Sequence, residues 1–439
     1  MINLKIVSGY LICVGGIIAS CGPKSDRLES MAASAPSRSD IIERVNQLVS
    51  EKKECNDQKN RLLHDSCMQG EQKWSNSDFN WKKSGSTVLV MELKAPTLLT
   101  LGRYKNRMRD VLKLNSDGVY STNDAQKIVI SRGLIEIMES TSKLDPYFSS
   151  KSFSKLGETI QDVFEDDFNL FEVGHGLTAF SVIGEYSPSS SLVFAPPPLA
   201  PGGILCAKNW PALNRYIENA SASFASKISE NDVSVVNMSG GDDRPTLKKY
   251  FGLVCPGASL SREDENTYLS IVGKFYSGLE SLSNVVVVQS AVGQQNAEDY
   301  PMDCQSNGPK NRLRVNFALD SSNIEIPKLG ASVHNGFEHL FAQNRDLDKE
   351  CTDLYLNSGS DNKGNFNRES IANATGFHSQ RITLMYTSWI APLASAFILS
   401  QKNSLFIDQN GKQIVESILK PGFPAIYDPL GNGQLETFE

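Results

Sequence analysis

The sequence predicts an α/β fold in which helices cover both faces of a mostly parallel sheet, with a small helical segment at the N-terminus. Short apolar runs dense in β-branched residues alternate with longer amphipathic stretches, a pattern typical of buried parallel strands and covering helices. Helical periodicity fills residues 211–228 and 263–282, which indicates two successive βαβ units. The apolar runs are 87-TVLVMEL-93, 191-SLVFAP-196, 233-VSVVNMS-239 and 284-NVVVVQSA-291.

Residues 1–20 have the features of an exported protein's signal peptide. Lys5 precedes an apolar run over 6–18, and small residues lead directly to Cys21. A membrane-spanning helix would need about 20 apolar residues, and glycines and a serine interrupt this run. The segment resembles the lipobox of bacterial lipoproteins, which implies lipidation of Cys21 and anchoring to a membrane of the cell envelope. Gly22 after the cysteine favours the outer membrane of a Gram-negative bacterium.

The sequence divides into further regions after the signal peptide. Residues 21–80 are predicted to contain a lipidated tether rich in Ser, Ala and Pro, followed by an amphipathic helix over about 40–60. That helix could be a pro-segment, a packing appendage or a partner-binding helix. The main domain is predicted over 81–425 and a C-terminal tail over 426–439.

Charge and cysteine content narrow the class of protein further. With 50 acidic and 43 basic residues and no basic cluster interleaved with aromatics, nucleic acid is not an expected partner. Beyond the signal peptide and Cys21, an even number of cysteines in an exported chain predicts disulfides. Adjacent pairing closes the shortest loops, so we expect Cys55 with Cys67, Cys206 with Cys255, and Cys304 with Cys351.

Four segments occupy positions where such a fold places its active residues, beyond strand ends or at a helix start. They are 174-GHGLTAFSVIGEY-186, 236-VNMSGG-241, 291-AVGQ-294 and 387-TSWIAP-392. In this order they resemble four motifs of the subtilisin-like serine proteases. These are the histidine motif, the N-M-S-x-G wall of the substrate pocket, the A-A-G-N oxyanion segment and the G-T-S-M-A-x-P nucleophile motif. The resemblance covers roughly residues 85–425.

The resemblance implies a serine endopeptidase that cleaves peptide bonds through an acyl-enzyme. A serine hydroxyl needs an imidazole to take its proton, and the imidazole needs an acid on its other nitrogen. By this carry-over Ser388 is the nucleophile, His175 the general base, Glu92 the acid and Gln294 the oxyanion donor. Ser388 is expected at a helix start, with Pro392 tolerated in the first turn. The resemblance also implies that Asn237, Met238, Ser239 and Gly240 form the wall of the substrate pocket.

Three positions depart from the family pattern. Glu92 stands where the family has Asp, and its extra methylene changes the reach of the carboxylate; Asp110 or Asp145 could supply the acid instead. Gln294 replaces an Asn, and Tyr386 replaces the Gly before Thr-Ser. A second hypothesis is therefore a catalytically impaired fold that binds peptides or envelope proteins.

No motif indicates a competing chemistry. The sequence contains no H-E-x-x-H, P-loop or G-x-S-x-G motif, so neither a metal nor a cofactor is predicted. The expected partners are a protein or peptide substrate and a membrane contacted through the lipid anchor.

Overall fold

The computed structural model describes most of the predicted main domain and the helix that precedes it. The described residues are 37–57, 63–74, 86–92, 104–123, 126–142, 156–157, 159–160, 162–168, 179–180, 182–184, 187, 189–238, 243–291, 298–302, 304, 311–318, 339–340, 351–357, 387–403 and 405–420.

A nine-stranded sheet forms the centre of the described structure, in the order β10-β11-β9-β8-β7-β2-β6-β3-β4. The seven strands from β11 to β3 are parallel, and the two edge strands are antiparallel to their neighbours. A separate antiparallel pair joins β1 to β5. The strands are β1 (Gln69–Trp74), β2 (Thr87–Met91), β3 (Met108–Leu114), β4 (Tyr120–Thr122), β5 (Gln126–Ser131), β6 (Ser191–Ala195), β7 (Val233–Met238), β8 (Val286–Ser290), β9 (Arg312–Ala318), β10 (His339–Leu340) and β11 (Leu354–Asn357).

Helices cover both faces of this sheet, as predicted. The helices are α1 (Arg38–Asp57), α2 (Arg132–Thr141), α3 (Glu165–Phe168), α4 (Gly202–Cys206), α5 (Trp210–Glu230), α6 (Arg244–Val254), α7 (Arg262–Glu280), α8 (Thr387–Gln401) and α9 (Gly411–Ile418). One apolar core lies between the sheet and α5, α6 and α7, and the other between the sheet and α1, α2, α8 and α9. The α/β prediction is confirmed, and all four apolar runs contain strands.

Side-chain caps fix where the long helices begin. The Asn209 side chain accepts a hydrogen bond from the Ala212 amide at the start of α5. Ser261 and Asp264 form a reciprocal capping box at the start of α7, which satisfies donors that a helix start leaves unpaired. Pro392 was expected in the first turn of its helix, but it is the sixth residue of α8. It removes the amide that would bond to the Ser388 carbonyl, so α8 tolerates a proline in its interior.

The N-terminal helix α1 belongs to the same core as the sheet. Ile41, Val45, Leu48 and Val49 are buried in the cluster that contains β2 and α8 residues. The strand that follows, β1, pairs over six residues with β5, more than fifty positions later in the chain. Of the three roles left open by the sequence, this arrangement favours a packing element.

The three predicted disulfides are confirmed. Bonds join Cys55 to Cys67, Cys206 to Cys255, and Cys304 to Cys351. The first lies wholly within the segment that contains α1 and β1, and the second joins α4 to the residue that ends α6.

The described helices include none that combines the length and apolar character needed to cross a membrane.

Candidate active site

The strand order reverses at β2, which lies between β6 and β7 at the middle of the sheet. After β2 the chain builds β3 and β6 on one side, then crosses β2 to build β7, β8, β9 and β11 on the other. In open parallel sheets, ligands bind beyond the carboxyl ends of the strands at such a switch point. The carboxyl end of β2 is therefore the place to look for chemistry.

Glu92 is the residue that follows β2 at this switch point. Its amide donates to the Ala195 carbonyl at 3.1 Å, so the pairing with β6 continues through Glu92. Side chains alternate along an extended strand, which places Glu92 on the same face as Val88 and Val90, the face covered by α8. The side chain is only 6% exposed. Glu92 is thus a largely buried carboxyl group at the centre of the carboxyl edge.

Helix α8 runs from this edge toward the opposite one. The Ser395 hydroxyl lies 3.0 Å from Asn237 Oδ1 on β7, and also 2.9 Å from the Ala391 carbonyl. Beyond the helix, the Gly411 amide donates to the Ser283 carbonyl, just before β8 begins. The C-terminal end of α8 therefore leads to the amino edge, and its first turn lies at the carboxyl edge.

Strand register and helix rise give the positions of Glu92 and Ser388 along the strand direction, here called their heights. Asn237 pairs opposite Val90, so Glu92 lies two residues, about 7 Å, farther along the strand direction. Ser388 precedes Ser395 by seven residues, a rise of about 10 Å along α8. The backbones of Glu92 and Ser388 therefore lie beyond the same edge at similar heights.

Asp110, the alternative acid, lies elsewhere. It pairs opposite Val193 in β6, level with Leu89 and about 10 Å below Glu92 along the strand direction. Its carboxylate accepts hydrogen bonds from Thr122 at 3.1 Å and from Asn231, the residue that ends α5, at 3.2 Å. Because α5 covers the face opposite α8, Asp110 is not placed to act with a residue at the start of α8.

Asn237 and Met238 end β7 with fully buried side chains. Asn237 faces α8 through Ser395, and Met238 packs in the core beneath α5 and α7. Only the main-chain atoms of these two residues are therefore placed to contact a bound peptide. Their role as substrate wall stays a prediction.

The segment that leaves β6 is fixed above the same edge. The Tyr120 hydroxyl donates to the Pro196 carbonyl at 2.6 Å, and the Tyr250 hydroxyl donates to the Ala200 carbonyl at 2.9 Å. Burial raises the pKa of Tyr250, so this hydroxyl keeps its proton and remains a donor. The Cys206–Cys255 disulfide then ties α4 to the end of α6. One border of the switch point is therefore rigid.

An ionic network fixes the chain beyond β8. Glu265, which is 3% exposed, lies 3.2–3.4 Å from the cationic groups of Arg244, Lys248 and Arg262. Arg244 also donates from Nε to the Glu298 carbonyl at 2.7 Å, and Arg262 forms an ion pair with the Glu298 carboxylate. This network anchors the segment that begins four residues after the predicted oxyanion donor Gln294.

Several predicted residues lie outside what the structure describes. These are His175, Gln294, Ser239, Gly240, the alternative acid Asp145 and the lipidation residue Cys21. For Ser388 the structure describes the helical backbone and not the side chain. The roles of these residues stay predictions.

Two residues important to this region were missed in the sequence. Ser395 could have been noticed as a polar residue within an apolar helix. Arg107 gave no signal, since it lies among other basic residues; it is fully buried, and its guanidinium donates to the carbonyls of Gly184, Ser187 and Ser190. Those carbonyls lie at or beyond the end of the buried helical residues 179, 180 and 182–184, which come soon after His175 in the sequence. Arg107 therefore fixes the far end of the segment that begins with the predicted base.

No family model matches the chain, and no curated protein matches it. Among solved structures, a crystal structure of a lanthipeptide protease is similar with 11% sequence identity and a TM-score of 0.30. The alignment covers 91% of this chain and 96% of that one. At that TM-score the likeness supports no inference about activity, so the candidate site depends on its own geometry and sequence motifs.

Proposed function

We propose that this protein is a lipid-anchored, subtilisin-like serine endopeptidase with Glu92, His175 and Ser388 as its triad. The observation that carries the proposal is the shared edge: Glu92 directly follows the switch-point strand β2, and the backbone of Ser388, the second residue of α8, lies at a similar height beyond the same edge. Active residues of α/β enzymes gather at such a point.

In the proposed mechanism, Ser388 attacks the carbonyl carbon of the scissile peptide bond while His175 takes the hydroxyl proton. Glu92 fixes the His175 tautomer and stabilises the imidazolium that forms. His175 then gives the proton to the leaving amine, and water releases the acyl group by the reverse sequence. The free amides in the first turn of α8, with the Gln294 side chain, would stabilise the oxyanion.

The burial of Glu92 supports its role in this mechanism. A carboxylate that is 6% exposed is shielded from solvent, so its attraction for an imidazolium is stronger than at the surface. The longer side chain of Glu compared with Asp must be accommodated by the position of the β2 end. The rigid borders formed by the Cys206–Cys255 disulfide and the Glu265 network would hold a peptide against this edge.

Labelling with a fluorophosphonate, which reacts with activated serines, tests the proposal directly. The purified wild-type chain should be labelled, and Ser388→Ala should not be. Ser400→Ala is the matched control, because it removes a serine from the far end of the same helix and should keep the label. A folded wild-type protein that takes no label would exclude the peptidase and favour the binding module suggested by the Gln294 and Tyr386 substitutions.

The lipid anchor has its own test. Cells that express the protein with radioactive palmitate should incorporate label into the wild-type chain and not into Cys21→Ser, since acylation requires that thiol. Fractionation should place the wild-type chain with membranes. Label and membrane association that persist in Cys21→Ser would rule out lipidation at this residue.

A further inference from the structure

Residues 38–74, here called the N-terminal clamp, are joined to the rest of the protein by buried polar contacts. Lys52 on α1 is 6% exposed and donates to the Ser131 hydroxyl at 3.1 Å, and its ammonium lies 3.6 Å from Asp167 Oδ2. Asp167, 1% exposed, accepts hydrogen bonds from the Ser131 amide and hydroxyl. A buried charge left without its partner is strongly destabilising, so these three groups depend on one another.

Further contacts join the clamp to the same two segments. Arg44 forms a bidentate pair with Glu136 on α2, with N–O distances of 2.6 and 2.8 Å, and these hydrogen bonds raise the pKa of the guanidinium. Asn56 donates to the Val163 carbonyl at 2.9 Å. The six-residue pairing of β1 with β5 adds main-chain hydrogen bonds. The interface combines an apolar core, buried ions and a strand pair.

The segment held by Lys52 and Asn56 leads to the proposed active site. Val163 and Asp167 precede His175 by 12 and 8 residues in the sequence. Phe164 packs in the same buried cluster as α1 and as Phe180 and Ile183, which follow His175. The chain on both sides of His175 therefore packs against a core to which the clamp contributes.

We propose that the N-terminal clamp is a retained, non-dissociating part of the mature protein that positions the chain on both sides of His175. The effect of this positioning on activity rests on the proposed peptidase function. The apolar core, the buried ion pair and the strand pairing would all have to be broken for the clamp to leave. The lipidated N-terminus would then remain attached to the catalytic domain even if the chain were cut between the clamp and β2.

A single engineered cut tests retention. A site for a specific protease is inserted between Trp74 and Ser86 in the full chain, and the cut protein is passed over a size-exclusion column without denaturant. Cys55 and Cys67 both lie before the cut, and the other two disulfides both lie after it, so no covalent bond joins the fragments. The fragments should elute together. Elution of a separate, folded C-terminal fragment would overturn the proposal.

Substitutions at the buried ion pair provide the matched comparison. Lys52→Met should weaken fragment association by about 100-fold or more, because Asp167 loses its cation. Lys53→Met makes the same change at the next, exposed residue and should leave association unchanged. Should the uncut Lys52→Met chain fail to fold, Arg44→Met replaces it, with a loss of several-fold expected from the half-exposed pair. Equal association in the buried and exposed variants would contradict the proposal.

The effect of the clamp on the position of His175 is tested in the uncut protein. In Lys52→Met the rate of fluorophosphonate labelling should fall. The midpoint of the curve of labelling rate against pH should also move to lower pH, because a His175 displaced from the Glu92 carboxylate loses the partner that favours its protonation. Simple loss of folded protein would lower the amplitude without moving the midpoint. An unchanged midpoint overturns the positioning role. A wild-type chain that takes no label would contradict the proposed peptidase function. Whether the clamp is retained is then still tested by co-elution of the two fragments.

Discussion

Glu92→Gln is expected to lower peptide hydrolysis and fluorophosphonate labelling by about 10⁴-fold while the fold is preserved. An amide has nearly the shape of the carboxylate, but it cannot stabilise an imidazolium by charge and can favour the wrong tautomer of His175. The largely buried position of Glu92 at the end of β2 makes this loss larger than for a solvent-exposed acid. Labelling rate and circular dichroism of the same sample separate loss of chemistry from loss of structure.

Asp110→Asn is the matched control for this experiment. Asp110 is as buried as Glu92 but lies level with Leu89 and bonds to Thr122 and Asn231 on the face opposite α8. Its amide variant should be less stable yet label at the wild-type rate. Glu92→Asp should not exceed the wild type, because the shorter side chain would no longer reach His175. If Glu92→Gln labels as fast as the wild type, the acid lies elsewhere and Asp145 becomes the next residue to test.

Arg107→Met is expected to destabilise the protein by about 3 to 5 kcal/mol. The fully buried guanidinium donates to three carbonyls, with distances of 3.0 Å to Ser190 and 2.6 Å to Ser187. Methionine fills much of the space but leaves those carbonyls without their donor. Urea denaturation followed by circular dichroism should show the loss as a lower midpoint.

Two further variants show whether the guanidinium itself is responsible. Arg107→Lys keeps the charge but not the planar set of donors, so it should recover only part of the lost stability. Arg109→Met removes a half-exposed arginine two residues away, paired with the exposed Asp232, and should cost less than about 1 kcal/mol. Equal losses at the two arginines would mean that the buried hydrogen bonds add little.

Local sequence patterns were sufficient for the strands β2, β6, β7 and β8 and for the helices α1, α5 and α7. Runs such as 284–291 are apolar, β-branched and bounded by polar residues, so they form buried strands wherever the chain is folded. The amphipathic periods of α5 and α7 and the caps Asn209 and Ser261 are set by residues within one or two turns. Disulfide pairing followed the simplest rule, in which each cysteine bonds to a cysteine adjacent to it in the order of the sequence.

Only the three-dimensional structure shows that Glu92 and the first turn of α8 lie at the same edge of the sheet. The resemblance suggested Glu92 and Ser388, and the sequence left Asp110 and Asp145 open as alternative acids, of which the structure describes Asp110. The choice between Glu92 and Asp110 depends on strand order, on register and on which face each side chain occupies, properties that arise from pairing between distant segments.

The sequence by itself determined the α/β class, the four apolar strand runs, the helices α1, α5 and α7 and the disulfide pairing, because these follow from local composition and spacing, while the candidate site residues came from the resemblance to the subtilisin-like proteases. Only the tertiary structure placed α1 in the main core, buried Arg107 beneath three carbonyls and joined Ser395 to Asn237. The hydrogen bonds of Arg107 and of Ser395 link residues at least 77 positions apart in the chain. A polar residue's partner at that separation is set by how the whole chain packs, and no local pattern encodes it.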